Sequence, residues 1–310
     1  MVILLRLGRR FVNTSGNTSK PGKSENKVIL HLHIAALLLG GTALFSKLIP
    51  YHAIDIITYR SLICGIVLLV ITVTFKHKLT ANTRLHLGLL IFCSLLFSIH
   101  WAAYFQAMQV STVAIGMISM FTFPVITVFL EPLIKRSQLQ TRDIIMGVLV
   151  LFGVVMLVPD FSLSNDITLG VAFGVLSGFA VALRNVLVSK YLTSYSAFTI
   201  MTYHSLITAA ILLPFADIGF NQIDLNNGLL LILLGTVFTA IPHTQKTYAL
   251  KYSSAKSVSM IISLQVVYGS IFAYFLLQEA PTLNTFVGGS IILFTAVYES
   301  LMPRKKLTNN

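Results

Sequence analysis

Charge is what this 310-residue chain has least of. Asp, Glu, Lys and Arg make up 10% of it, where a soluble protein carries roughly 25%. With 55% hydrophobic residues and a mean hydropathy of +0.84, water is the wrong solvent for most of its surface. Acid is scarcest: 10 Asp and Glu stand against 22 Lys and Arg, and none falls at the centre of an apolar span. A pump that trades cations for protons wants a deep carboxylate, and this chain has none to give. Cysteine is nearly absent. Cys64 and Cys93 both lie in apolar spans and read as small buried hydrophobes, not as a disulfide or metal pair. Also missing are a phosphate-cradling glycine loop, a spaced His/Glu metal motif, a serine elbow and lid-like insertions. ATP-driven transport is therefore unsupported, and no catalytic residue, metal or cofactor is expected. Met1–Leu7 is too short for a signal-peptide core.

What is present is a series of apolar runs. Ten spans fall at about 28–48, 54–75, 87–107, 112–134, 143–158, 167–188, 197–215, 228–248, 257–277 and 283–301, each near the roughly 20 residues a crossing helix needs. The two groups of five echo each other. Thr58-Tyr59-Arg60-Ser61-Leu62-Ile63 returns as Thr202-Tyr203-His204-Ser205-Leu206-Ile207, and Ala107 and Ser111 return as Ala249 and Ser253. An odd number of crossings per copy turns the second copy upside down. The expected fold is thus an all-α integral membrane bundle of ten transmembrane helices in two inverted five-helix repeats, 28–158 and 167–302. A disordered basic tail (1–27) and a short tail (303–310) flank them. Inverted repeats are a frequent basis for alternating-access carriers.

The net charge of +12 would suggest nucleic acid in a soluble protein, but its placement explains it otherwise. Lys and Arg crowd the first tail, the even-numbered loops and the last tail, while the odd-numbered loops carry only Lys47. Such a bias puts both termini in the cytoplasm, and Arg6, Arg9 and Arg10 beside anionic lipid or simply in water.

Candidate functional residues are polar groups where apolar ones belong. Span eight has a short apolar run and then reads Pro242-His243-Thr244-Gln245-Lys246-Thr247-Tyr248. The matching stretch of span three is His100-Trp101-Ala102-Ala103-Tyr104-Phe105-Gln106. Interruptions at corresponding places in two halves point to a transport pathway. Both breaks lie past their helix midpoints in oppositely directed spans. His100, Trp101 and Tyr104 are therefore expected in the outward half of one cavity, with His243, Gln245 and Lys246 in the inward half. Aromatic-belt anchoring competes for Trp101 and Tyr104, and snorkelling for Lys246. Arg60, inside span two, is a candidate for the substrate pathway or for a structural tie to a neighbouring helix or loop, and its repeat partner His204 for the pathway or for hydrogen-bonded packing. Arg184 reads as a snorkelling anchor. Gln265, with Tyr268, is expected to add polar groups from span nine. Pro124 and Pro242 are expected kinks, and Gly170, Gly174 and Gly178 a close-packing stripe. Glu131 pairs naturally with Lys135, and Glu279 ends span nine. Arg, His and Lys without deep acid favour a neutral, zwitterionic or anionic cargo; if protons are coupled, histidine carries them.

Arg60, Trp101…Tyr104-Phe105-Gln106-Ala107, Ser111-Thr112-Val113-Ala114, Phe123-Pro124-Val125 and Glu279 together resemble the ten-helix EamA-type branch of the drug/metabolite transporter superfamily, over about residues 30–302. The resemblance implies export or exchange of small metabolites, often amino acids, across a bacterial inner membrane. It departs in repeat two, where Gln265-Val266 stands for Phe123-Pro124 and His204 for Arg60. The implied partners are a small-molecule substrate and the bilayer. Proton coupling and a homodimer stay open, and nucleic acid is not expected. A flippase for lipid or lipid-linked precursors on the same fold and an integral-membrane enzyme are the alternatives.

Overall fold

The structure is a computed structural model and describes residues 23–135, 139, 141–157, 162, 164–252, 258 and 261–301. Residues 1–22 and 303–310 of the expected tails, the Pro159-Asp160 turn and Ser253 lie outside these residues, as does the side chain of Lys135. Helix begins at Lys23, inside the segment expected to be tail.

Regular structure among the described residues is all helical: α1 Lys23–Thr42, α2 Ala53–Thr74, α3 Arg84–Val110, α4 Val113–Met120, α5 Phe123–Lys135, α6 Thr141–Leu157, α7 Asp166–Tyr191, α8 Ala197–Leu212, α9 Leu225–Gly235, α10 Ile241–Tyr252, α11 Leu264–Leu277 and α12 Leu283–Leu301. Among the described residues, seven segments are long and apolar enough to cross a membrane: Leu30–Leu48, Ala53–Thr74, Arg84–Val110, Val113–Ile134, Asp166–Tyr191, Ala197–Phe215 and Leu225–Tyr252. Ile144–Leu157, Leu264–Leu277 and Leu283–Thr295 are shorter apolar helices. Polarity is turned inside out. Phe75, Leu151, Phe275 and Phe294 are exposed, while Asp55, Arg60, Arg184, His204 and Lys246 are buried. That distribution fits a hydrocarbon solvent, where apolar skin costs nothing and polar groups must find partners within the protein.

Helices pair in a regular way. α3 lies along α7, α2 along α8, α6 along α12 and α1 along α11, with α4 and α5 also on α7. The Gly170-Gly174-Gly178 stripe of α7 makes the last contact possible. A Cβ on Gly170 would strike Ser111, one on Gly174 would strike Ser119 Oγ, and one on Gly178 would come within 2.7 Å of the Met120 carbonyl oxygen. Only glycine lets the backbones approach this closely.

Helix ends find partners beyond their own segments. The first turn of α4 carries orphan N–H groups; Thr112 Oγ1 accepts from Ile115 N at 3.2 Å and Glu279 Oε2 from Val113 N at 2.8 Å. Glu279, expected merely to close its own span, thus caps a different helix. Buried Asp55 accepts from the backbone N–H groups of Asp217 (2.8 Å) and Ile218 (3.2 Å), and Tyr59 donates to the Ile218 carbonyl. These bonds fasten the chain after α8 onto α2.

Two interruptions shape the bundle interior. The span Val113–Ile134 parts at Phe121 and Thr122, immediately before Pro124, so α4 and α5 are separate helices. The Leu225–Tyr252 span stays helical through Pro242 but widens into a π turn over Thr236–Ala240. Proline cannot donate to the carbonyl four residues back and crowds it; a π turn relieves that clash. The carbonyl in question is Phe238, and it accepts from Thr42 Oγ1 of α1 at 2.7 Å.

Candidate functional site

Helices α2, α3, α10 and α11 bring Arg60, His100, Trp101, Tyr104, His243, Lys246 and Gln265 around one cavity. Leu39 and Thr42 of α1 close one side, and Met120 and Phe123 at the α4–α5 break close another. The cavity holds about 20 Å³, room for about one water molecule. That is far below the roughly 300–1,000 Å³ of ligand pockets, so this conformation is contracted around its polar groups.

Arg60 is 1% exposed, and its guanidinium carbon lies over two rings, 4.4 Å from the Trp101 centroid and 4.6 Å from that of Phe105. Its Nε and Nη1 have no hydrogen-bond partner, nor do Trp101 Nε1 and the Tyr104 hydroxyl. The aromatic rings stabilise the desolvated cation by about 2 kcal/mol. His100 stacks near Tyr104, and its Nδ1 lies 2.7 Å from Ser177 Oγ on α7.

The residues expected in the outward and inward halves meet directly around this cavity. Trp101 and His243 lie with ring centroids 5.1 Å apart, and Phe97 lies 5.3 Å from His243. Trp101, Tyr104 and Lys246 are all buried. Neither a place in an interfacial belt nor snorkelling describes them. Lys246 Nζ instead sits 5.5 Å from the Phe123 ring centroid.

Gln245 does not line the cavity. It is half-buried, its Nε2 is 3.4 Å from His31 Nδ1 on α1, and its Oε1 has no partner. Residues 243 and 246 share a helix face and 245 cannot. Tyr268 is also elsewhere, with its Cβ against Gly40.

His204 and Arg184 form a second polar layer behind the first. Arg184 Nε donates to His204 Nε2 at 3.0 Å, and the other imidazole nitrogen lies 3.0 Å from Ser94 Oγ on α3. Arg184 also donates to Asn185 Oδ1 and Thr247 Oγ1, both at 3.1 Å. This overturns the snorkelling anchor: Arg184 is 1% exposed, because these three neutral acceptors and a ring face inside the bundle replace the interface it would otherwise seek. The ring is Phe97. Its centroid is 4.9 Å from the Arg184 guanidinium, 5.1 Å from His204 and 4.3 Å from Trp101. Phe97 therefore separates the two cationic layers and touches both. The sequence reading missed it, although its spacing of three to His100 and four to Trp101 puts it on their face.

Among the described residues, no three His, Cys, Asp or Glu are grouped to hold a metal ion. Cys64 and Cys93 are free and buried, with Cys64 Sγ accepting from Ser205 Oγ at 3.2 Å.

Comparison with known proteins adds identity to this geometry. An uncharacterized transporter of Archaeoglobus fulgidus is 25% identical over 260 residues, covering 84% of this chain and 91% of that protein. An S-adenosylmethionine uptake transporter of Rickettsia prowazekii is 22% identical over 261 residues, covering 82% and 85%. One solved crystal structure matches 90% of this chain and 99% of its own with a TM-score of 0.63 at 14% identity, a likeness of fold. The EamA-like transporter family model matches twice, over residues 26–158 and 168–299. A multi-pass helical bundle with a polar interior, matched by that model along nearly its whole length, makes this chain a member of the EamA-like transporter family within the drug/metabolite transporter superfamily.

Proposed function

We propose that the chain is a secondary carrier that exports or exchanges a small polar metabolite, such as an amino acid, by alternating access. In this reading it crosses a bacterial inner membrane ten times as two inverted repeats, with both termini cytoplasmic, and leaves its cargo chemically unchanged. One observation carries the reading: polar groups from α2, α3, α10 and α11 converge on a single small cavity in a bundle whose skin is apolar. Helix pairing supports the repeat. α2 with α8 and α6 with α12 join corresponding helices of the two halves, while α1 with α11 mirrors α7 with α4 and α5. Such an arrangement lets the halves rock about a site at their meeting. The contracted cavity is then an occluded state, and cargo enters when the helices part. The S-adenosylmethionine relative supports small metabolites as the cargo class without fixing one.

Cargo is found by comparing metabolites inside and outside cells that overproduce or lack the protein. Counterflow of the labelled candidate in proteoliposomes then tests transport. Accumulation against unlabelled compound on the other side is the expected result; chemical conversion, or no exchange, would overturn the reading.

A further inference from the structure

We infer that the cavity selects a small organic anion, whose oxyanion group is received by Arg60, Lys246, Trp101 and Tyr104. This rests on the carrier reading and narrows its substrate class.

Four buried polar atoms on three residues lining one cavity lack a hydrogen-bond partner: Arg60 Nε and Nη1, Trp101 Nε1 and the Tyr104 hydroxyl. Buried polar groups are paired in the large majority of cases, and a set of exceptions at one place needs a cause. Their chemistry is one-sided. Guanidinium and indole only donate, and the phenol is free to do so. An acceptor with several lone pairs satisfies all of them at once; a carboxylate or phosphate has that form, and a guanidinium fork matches it.

Charge points the same way. Arg60 and Lys246 both line the cavity and Arg184 lies just behind Phe97, while none of the lining residues is acidic. Arg60 has its charge over the Trp101 and Phe105 rings, with no acidic residue beside it in the cavity lining. Its Nε and Nη1 remain without an acceptor. An arriving anion would offset the mutual repulsion of the buried cations. A cationic cargo meets that repulsion directly. The ammonium of a zwitterion finds no carboxylate among the lining residues.

Trp101 is the only tryptophan of the chain, so intrinsic tryptophan fluorescence of the purified full-length protein reads this cavity alone. Acetate, succinate, inorganic phosphate, leucine and spermidine are titrated at constant ionic strength. The expected result is a saturable change with at least one of the three anions, at lower concentration than with leucine, and none with spermidine. The anion that acts distinguishes carboxylate from phosphate recognition. Arg60→Gln and Lys246→Gln are expected to weaken the response at least tenfold, with partial recovery in Arg60→Lys, which also serves if Arg60→Gln does not fold. No saturable response to any anion, a stronger response to leucine or spermidine, or wild-type titration by the folded variants would overturn the inference. Fluorescence reads binding and counterflow reads transport, so an absence of exchange with intact anion binding would remove the carrier reading separately.

Discussion

Arg184 shows what a single side chain does when lipid is the alternative to protein. Its guanidinium reaches His204, Asn185 and Thr247 rather than the membrane surface. A hydrogen bond to a charged donor contributes about 1.5–3 kcal/mol, so His204→Leu is expected to lower stability by about that much. A thermal melt in detergent checks it, and an unchanged melting temperature would contradict the geometry. Asp224 caps α9, accepting from Asn227 N at 3.0 Å and Asn226 N at 2.9 Å. The Asn227 backbone bond, foremost, holds its carboxyl below the usual range. A depressed folded-state value means that its stabilisation is present above the unfolded value and fades as pH falls through the lowered one. Asp224→Ala is therefore expected to reduce the melting temperature at pH 7 and to differ less from wild type in strong acid; an equal difference at both would count against the cap's ionic part. At this scale the sequence showed the polar intruders clearly, because Arg60, His100, His243 and Lys246 stand out in apolar runs. It did not show Phe97. As one of 21 phenylalanines, it carries no compositional signal, and its role comes from what surrounds it.

Elements were legible through hydropathy and glycine spacing, and less so through proline. The stripe on α7 shares one face because its members are four apart, and its partner helices are α4 and α5. Gly178→Val is expected to destabilise the protein by about 1–3 kcal/mol through overpacking, since the obstacle is the Met120 backbone oxygen and cannot swing aside. Gly88→Ala is the control, with nothing within 4 Å of the added methyl, and should melt like wild type or slightly higher. Equal behaviour of the two in thermal melts would contradict the close approach. The two prolines end differently for a local reason. Beside Pro124 the helix parts, with Thr122 N bonding back to the Ser119 carbonyl in a tightened turn. Ahead of Pro242 a π turn and the Thr42 hydroxyl absorb the crowding within one continuous span. Thr42 is remote in sequence, so no local pattern revealed which outcome each proline would have.

In the whole molecule the solvent outside selects apolar skin and drives polar side chains such as Arg60, Arg184 and Lys246 inward. Among the described residues, seven long and three shorter apolar helices surround a small space where cations, imidazoles and aromatic rings gather. A carrier must expose that space first to one side of the membrane and then to the other. The measurement that bears most directly on this uses a single cysteine in place of His243, in a chain whose two native cysteines are replaced by alanine. Membrane-impermeant maleimide is applied to oriented vesicles from each side in turn. Alternating access predicts labelling of position 243 from both faces; labelling from one face only would contradict it.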